Sequence, residues 1–301
     1  MMSEAPLEAV SARSKFLKLT QKRLEKYATL LPKVLITDDA DAIHDLRVWS
    51  RRLQQALRVV APTRRGKAIK KILAELRHVR QILGPSRDLD VNIALIKAKR
   101  DHCGNPSVEK AWASIKSELE SQRQPLIERA RRDIARKELF KFVLRVQRLI
   151  DAVESAFDPL EQAVGAMAKS MDSWEESFAA TREQPDAAGL HRLRIAGKKL
   201  RYRAELLLDL GQAKVKPLVA SLKGIQTSLG DWHDRSVLLR HIAEFIGRPG
   251  FLADHPDIGR ILLAEMEKER LRNDSDVTSV LQHAGKVQQA WANWRASAAS
   301  A

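Results

Sequence analysis

Two rows of cations, each headed by a histidine, have the residue types and spacing to do chemistry. His44, Arg47 and Arg51 form the first, and His191, Arg194, Lys198 and Arg201 the second. On a helix turning about 100° per residue, each row collapses onto one narrow stripe. Leu46, Trp49, Leu53, Ala56, Leu57 and Val60 lie opposite the first stripe, and Leu193, Ala196, Leu200, Ala204 and Leu207 opposite the second. Cations one turn apart repel, which weakens an isolated helix by a few tenths of a kcal/mol per close pair. An anion lying along the row removes that cost. Arginine offers a planar fork for two phosphate oxygens and lysine a mobile point charge, so the chemistry is capture of an extended anion.

The rows belong to an internal repeat. The segment from His44 through Leu46, Arg47, Arg51 and Arg52 to Leu53 reappears 147 positions later, from His191 through Leu193, Arg194, Lys198 and Lys199 to Leu200. A second segment follows at an offset of 146. There Leu76, Arg77, Val79, Arg80, Leu83, Gly84, Arg87 and Asp88 match Leu222, Lys223, Ile225, Gln226, Leu229, Gly230, His233 and Asp234. Lys70 and Lys71 precede Arg77, as Lys214 and Lys216 precede Lys223. Gly84 and Gly230 read as helix C-caps, and Asp88 and Asp234 as N-caps of the helices that follow. Arg87 and His233, just before those acids, fall near the anion. One mismatch stands out: Gln54 in the first copy faces Arg201 in the second, while Arg80 faces Gln226.

The elements that must carry these rows are helices throughout. Apolar residues recur at three- and four-residue spacings, and there are only 13 Gly and 11 Pro in 301 residues. Breaks are expected at 37–41, 61–66, 84–87, 103–107, 184–189, 247–257 and 273–276, giving about a dozen helices. The fold class is all-α, with duplicated helical halves at 1–155 and 156–301.

Charge narrows the partner. The chain carries 53 Lys and Arg against 38 acids, a net +15, which favours a polyanion. Residues 1–155 hold 33 bases and 19 acids, and residues 156–301 hold 20 and 19. No apolar run reaches the roughly 20 residues of a bilayer helix, and the N-terminus lacks the apolar core of a secretory signal. Cys103, the one cysteine, makes neither an intramolecular disulfide nor a thiolate metal site, which suits a reducing cytoplasm.

Other chemistries fit less well. Nucleic acid suits the charge, yet only 5% of residues are aromatic and Tyr202 alone stands beside a stripe, so base stacking is poorly provided for. A metal-dependent phosphohydrolase is suggested by His44-Asp45 and His233-Asp234. Asp45 becomes Arg192 in the second copy, however, and the surrounding bases repel a cation. There is no Walker loop and no His-Glu-x-x-His pair. No cofactor, metal or catalytic residue is expected. His78, His102, His241, His255 and His283 stand singly, and the tryptophans read as packing residues.

The duplicated histidine helix, with Arg201-Tyr202 after the second copy and the Leu-Gly-x-x-[Arg/His]-Asp endings, resembles the CHAD family, the conserved histidine α-helical domain. The resemblance runs from about residue 8 to 297. It implies two helical bundles related by a pseudo-twofold around a basic surface or pore, and non-catalytic binding of inorganic polyphosphate, often at polyphosphate granules. The ligand residues it implies are His44, Arg47, Arg51 and Arg52 with His191, Arg194, Lys198, Lys199 and Arg201, supported by Arg77, Arg80 and Lys223. Lys70, Lys71, Arg87, Tyr202, Lys214, Lys216 and His233 flank that set.

Overall fold

A computed structural model describes residues 5–60, 66–153 and 157–299. The halves' boundary near residue 155 lies outside the described residues. All regular structure among them is helical: α1 (Ala5–Ile36), α2 (Ala40–Val60), α3 (Lys67–Ile82), α4 (Gly84–Asp101), α5 (Pro106–Ala135), α6 (Leu139–Asp151), α7 (Pro159–Glu183), α8 (Ala187–Asp209), a 3₁₀ turn (Ala213–Val215), α9 (Lys216–Ile246), α10 (Phe251–Asp254) and α11 (Pro256–Ala299). The all-α expectation holds.

The histidine helices are α2 and α8, and matched aspartates start both. Asp39 Oδ1 accepts from the backbone N–H groups of Asp41 and Ala42, and Asp186 Oδ1 from that of Gly189. Each side chain satisfies an otherwise orphaned donor of the first turn. These caps fix where each helix begins, and so which face the cations occupy.

The apolar faces go where their periodicity directs. Leu46, Leu53, Ala56 and Leu57 on α2, and Leu193, Leu200, Ala204 and Leu207 on α8, are at most 1% exposed. Two cores roughly follow the two halves. Leu24, Tyr27 and Leu31 of α1 pack with α2, α3, α5 and α6 in one, and Met167, Met171 and Trp174 of α7 with α8, α9 and α11 in the other. Phe16 of α1 crosses over to join the second core beside Phe157. A third core is shared: Leu89, Ile96, Trp112 and Ile115 of α4 and α5 meet Leu238 and Ile242 of α9 and Leu262 of α11. The halves are thus welded at two places besides the stripes.

Two expected breaks come out differently. At Leu83 the chain does turn, because Pro85 cannot continue α3 and sits in the first turn of α4 instead. The second copy has Asp231 where the first has Pro85, and α9 runs unbroken through Gly230 and Asp234. Gly230 is therefore no C-cap, and Gly84 is the first residue of α4 rather than the cap of α3. Asp88 and Asp234 lie inside helices and cap nothing. The break expected at 273–276 is likewise absent, since α11 is continuous there. Its polar residues are held by α9: Asn273 is buried against Ser236, and Arg235 pairs with Glu269 at 3.3 Å and with Asp276.

Candidate functional site

With α2 packed on α8, the two cation stripes face each other rather than solvent. Between them lie two cavities of about 520 and 490 Å³. His44, Arg47, Arg51, Arg52, Arg87, Arg194, Lys198, Arg201 and Tyr202 line the first. Arg47, Arg51, Arg58, Arg77, Arg80, His191, Arg194, Lys198, Lys199 and His233 line the second. Arg47, Arg51, Arg194, Lys198 and Asp88 are common to both, so the cavities meet at a waist of four cations, two from each repeat.

The repeat exchanges the mouths. His44, Val48 and Arg87 line one, and their counterparts His191, Ile195 and His233 the other. Arg201, Tyr202 and Gln226 line the first mouth, and their counterparts Gln54, Gln55 and Arg80 the second. The Gln54/Arg201 mismatch is thereby offset: at the two mismatched positions each mouth receives one arginine and one glutamine, Arg201 with Gln226 at the first and Arg80 with Gln54 at the second.

Local structure fixes individual cations. Arg47 Nη1 donates to the carbonyl of Arg80 at 2.5 Å, which satisfies an acceptor in the last turn of α3. The Pro85 break thus anchors Arg47. Arg80 is 9% exposed and donates to Gln54 Oε1 at 2.5 Å and Ser50 Oγ at 3.3 Å. Burial, with Arg51 and Arg47 nearby, lowers its pKa to about 9. Tyr202 is 5% exposed and carries guanidinium groups from both repeats: Arg201 lies 4.6 Å and Arg51 5.5 Å from its ring centre. It is a platform for cations and offers no face to a base. Arg52 rests 4.9 Å from the ring centre of Trp49, with Glu205 at 3.9 Å. Glu205 also accepts from Arg201 at 3.0 Å.

The electrostatics follow from crowding. Burial, then Arg194 and Arg51, pull the Lys198 ammonium down to about 7. His233 is pushed to about 4 by burial and by Arg194 and Lys198. Burial and Arg87 also lower His44. The passage therefore holds a lysine that titrates near neutrality. Three donors lining the passage, Arg194 Nε, Arg201 Nε and Gln226 Nε2, are buried without an acceptor. Buried donors are rarely left so, and acceptor oxygens of a bound anion would satisfy them.

Some expected residues are not brought together. Lys70, Lys71, Lys214, Lys216 and Lys223 are exposed and line neither cavity. Lys214 Nζ instead donates to the carbonyl of Ser297 at 3.2 Å. Arg58 and Gln55 line the second mouth without any sequence signal having been assigned to them. Arg58 carried a legible signal, because it stands two turns beyond Arg51 on the same stripe. Asp88 and Asp234, assigned to capping, line the passage. Among the described residues no cluster of three or more His, Cys, Asp or Glu could hold a metal ion, and no helix is long and apolar enough to cross a membrane.

No curated protein matches the sequence. The CHAD domain of the plant Ricinus communis has a crystal structure similar to this one, with a TM-score of 0.70 at 17% identity over 91% of each chain. PptA from Streptomyces chartreusis is similar with a TM-score of 0.63 at 16% identity, over 93% of this chain and 98% of the other. At such identities the likeness is one of fold. The family model of the CHAD domain matches residues 18–243, a span that holds both histidine helices and the whole waist between them, and the chain belongs to the CHAD domain family.

Proposed function

We propose that the passage binds inorganic polyphosphate without chemical turnover. The observation that carries this reading is the waist, where Arg47, Arg51, Arg194 and Lys198 from both repeats line two adjoining cavities. Membership of the CHAD family supports it. A linear polymer with one charge per phosphate matches donors spaced turn by turn along two facing helices, and it leaves through a mouth on either side. Arginine forks take pairs of phosphate oxygens, and the histidines at the mouths add donors. Burial and neighbouring cations lower His44 and His233, which favours their binding an anion over their taking a proton from a substrate. Association with polyphosphate granules in the cytoplasm belongs to the same proposal.

Competition tests it. Labelled long-chain polyphosphate is challenged at near-physiological salt with DNA, RNA and heparin at matched charge concentration. The passage holds a single slender chain and offers no stacking face, so polyphosphate should outcompete the others by more than about tenfold, a margin near 1.4 kcal/mol. Equal competition by every polyanion means binding to the general +15 surface and overturns the proposal.

A further inference from the structure

We propose that Asp88 and Asp234 are counter-anions built into the passage, which keep its grip on the polymer reversible. The inference rests on the polyphosphate reading. These are the acids among the lining residues: Asp88 faces both cavities and Asp234 the first. They occupy matched positions of the repeat, so both copies of a strongly basic site have kept a carboxylate there. Neither role that would explain them structurally is filled. Both stand inside helices and cap nothing. Among the described ion pairs, all with N and O within 4 Å, none involves either residue. They act instead through their field: Asp88 is felt by Arg47 and Arg194, and Asp234 by Arg194 and Lys198. Burial raises the Asp234 carboxyl, and those cations oppose the rise.

A carboxylate beside the waist repels each phosphate that enters. Four crowded cations without it would hold a polyanion more tightly, whereas reversible binding needs entry to be favourable and exit to remain open. In the free protein the same carboxylates offset part of the mutual repulsion of Arg47, Arg194 and Lys198. Because no direct bond is lost, exchanging carboxylate for amide leaves the geometry in place and removes only charge.

The test is dissociation of labelled long-chain polyphosphate, chased with unlabelled polymer, from wild type, Asp88→Asn, Asp234→Asn and the double variant. Each measurement is made with EDTA and with Mg²⁺. Each single exchange should tighten binding about tenfold, the scale of one unit charge in a partly buried site, chiefly through slower dissociation. The conservative Asp88→Glu and Asp234→Glu variants should behave as wild type. Structural damage does not tighten binding, so a gain cannot arise that way, and the single variants report even if the double one fails to fold. Unchanged or weaker binding in the Asn variants overturns the inference while leaving polyphosphate binding intact. So does wild-type affinity that needs Mg²⁺ and loses that need in the variants, since the acids would then bridge through a cation. Failure of wild type to bind polyphosphate at all removes the reading beneath it.

Discussion

Replacing Arg47 and Arg194 together with glutamine should weaken polyphosphate binding by at least about 100-fold while helical content is unchanged. The two residues are repeat counterparts, and both line both cavities, so the exchange removes charge from the waist where every path through the site crosses. A hydrogen bond to a charged group contributes about 1.5–3 kcal/mol, and two of them about 3–6 kcal/mol, or roughly 100- to 10,000-fold in affinity. The double lysine variant should fall between, because it keeps the charge and loses the fork. Arg47→Gln also frees the Arg80 carbonyl, so a small loss of thermal stability should accompany it. Exchanging Arg132 of α5 and Arg136 just beyond its end, whose side chains are 65% and 77% exposed, removes the same net charge and should change affinity less than about threefold. Equal losses in the two pairs would mean that net charge, not the waist, does the binding.

Affinity should also fall as pH rises from 6 to 9, by up to about 100-fold, through Lys198. In the free protein burial and the neighbouring Arg194, Arg51 and Arg47 hold its pKa near about 7, with Asp234 pulling the other way. A bound polyanion favours the ammonium form, so the complex keeps its proton to higher pH. The sign follows: below about pH 7 lysine is protonated in both states and affinity is full. Above it, binding must draw a proton from solvent, at a cost of about 1.4 kcal/mol per pH unit until the pKa of the complex is reached. His44, lowered in the free protein, adds proton uptake at the acidic end, and so does Asp234 through its raised carboxyl. Calorimetry in two buffers of different ionisation enthalpy reads the proton directly at pH 8. Lys198→Arg should flatten the profile above pH 7, since the guanidinium keeps its charge there. A wild-type affinity constant from pH 6 to 9 would contradict the assignment.

The stripes were legible because helical periodicity and the repeat are both local properties of the chain. Leu46, Leu53, Leu193 and Leu200 mark the buried faces, and the cations opposite them line the passage. The facing of the stripes was not legible, because it depends on how α2 packs against α8, which no spacing within either helix encodes. The second segment misled for a related reason. Leu83-Gly84-Pro85 and Leu229-Gly230-Asp231 look alike in pattern, yet a single proline breaks one helix and its absence lets the other run on. Reading both as turns made caps of Asp88 and Asp234 and hid their place in the site. The lysines ahead of these segments match in spacing and charge, yet packing leaves them on the outside. At 273–276 polar residues that look like a break are retained in α11 by partners on α9, a tertiary effect that overrides local preference.

The most direct measurement of the central claim is arginine modification by phenylglyoxal, read residue by residue by peptide mass spectrometry with and without long-chain polyphosphate. Binding at the waist predicts that Arg47, Arg51 and Arg194, from both repeats, are protected together by at least about tenfold in rate, while exposed Arg132, Arg136 and Arg260 react as before. Protection confined to the exposed arginines, or to one repeat alone, would contradict a passage built by the two stripes.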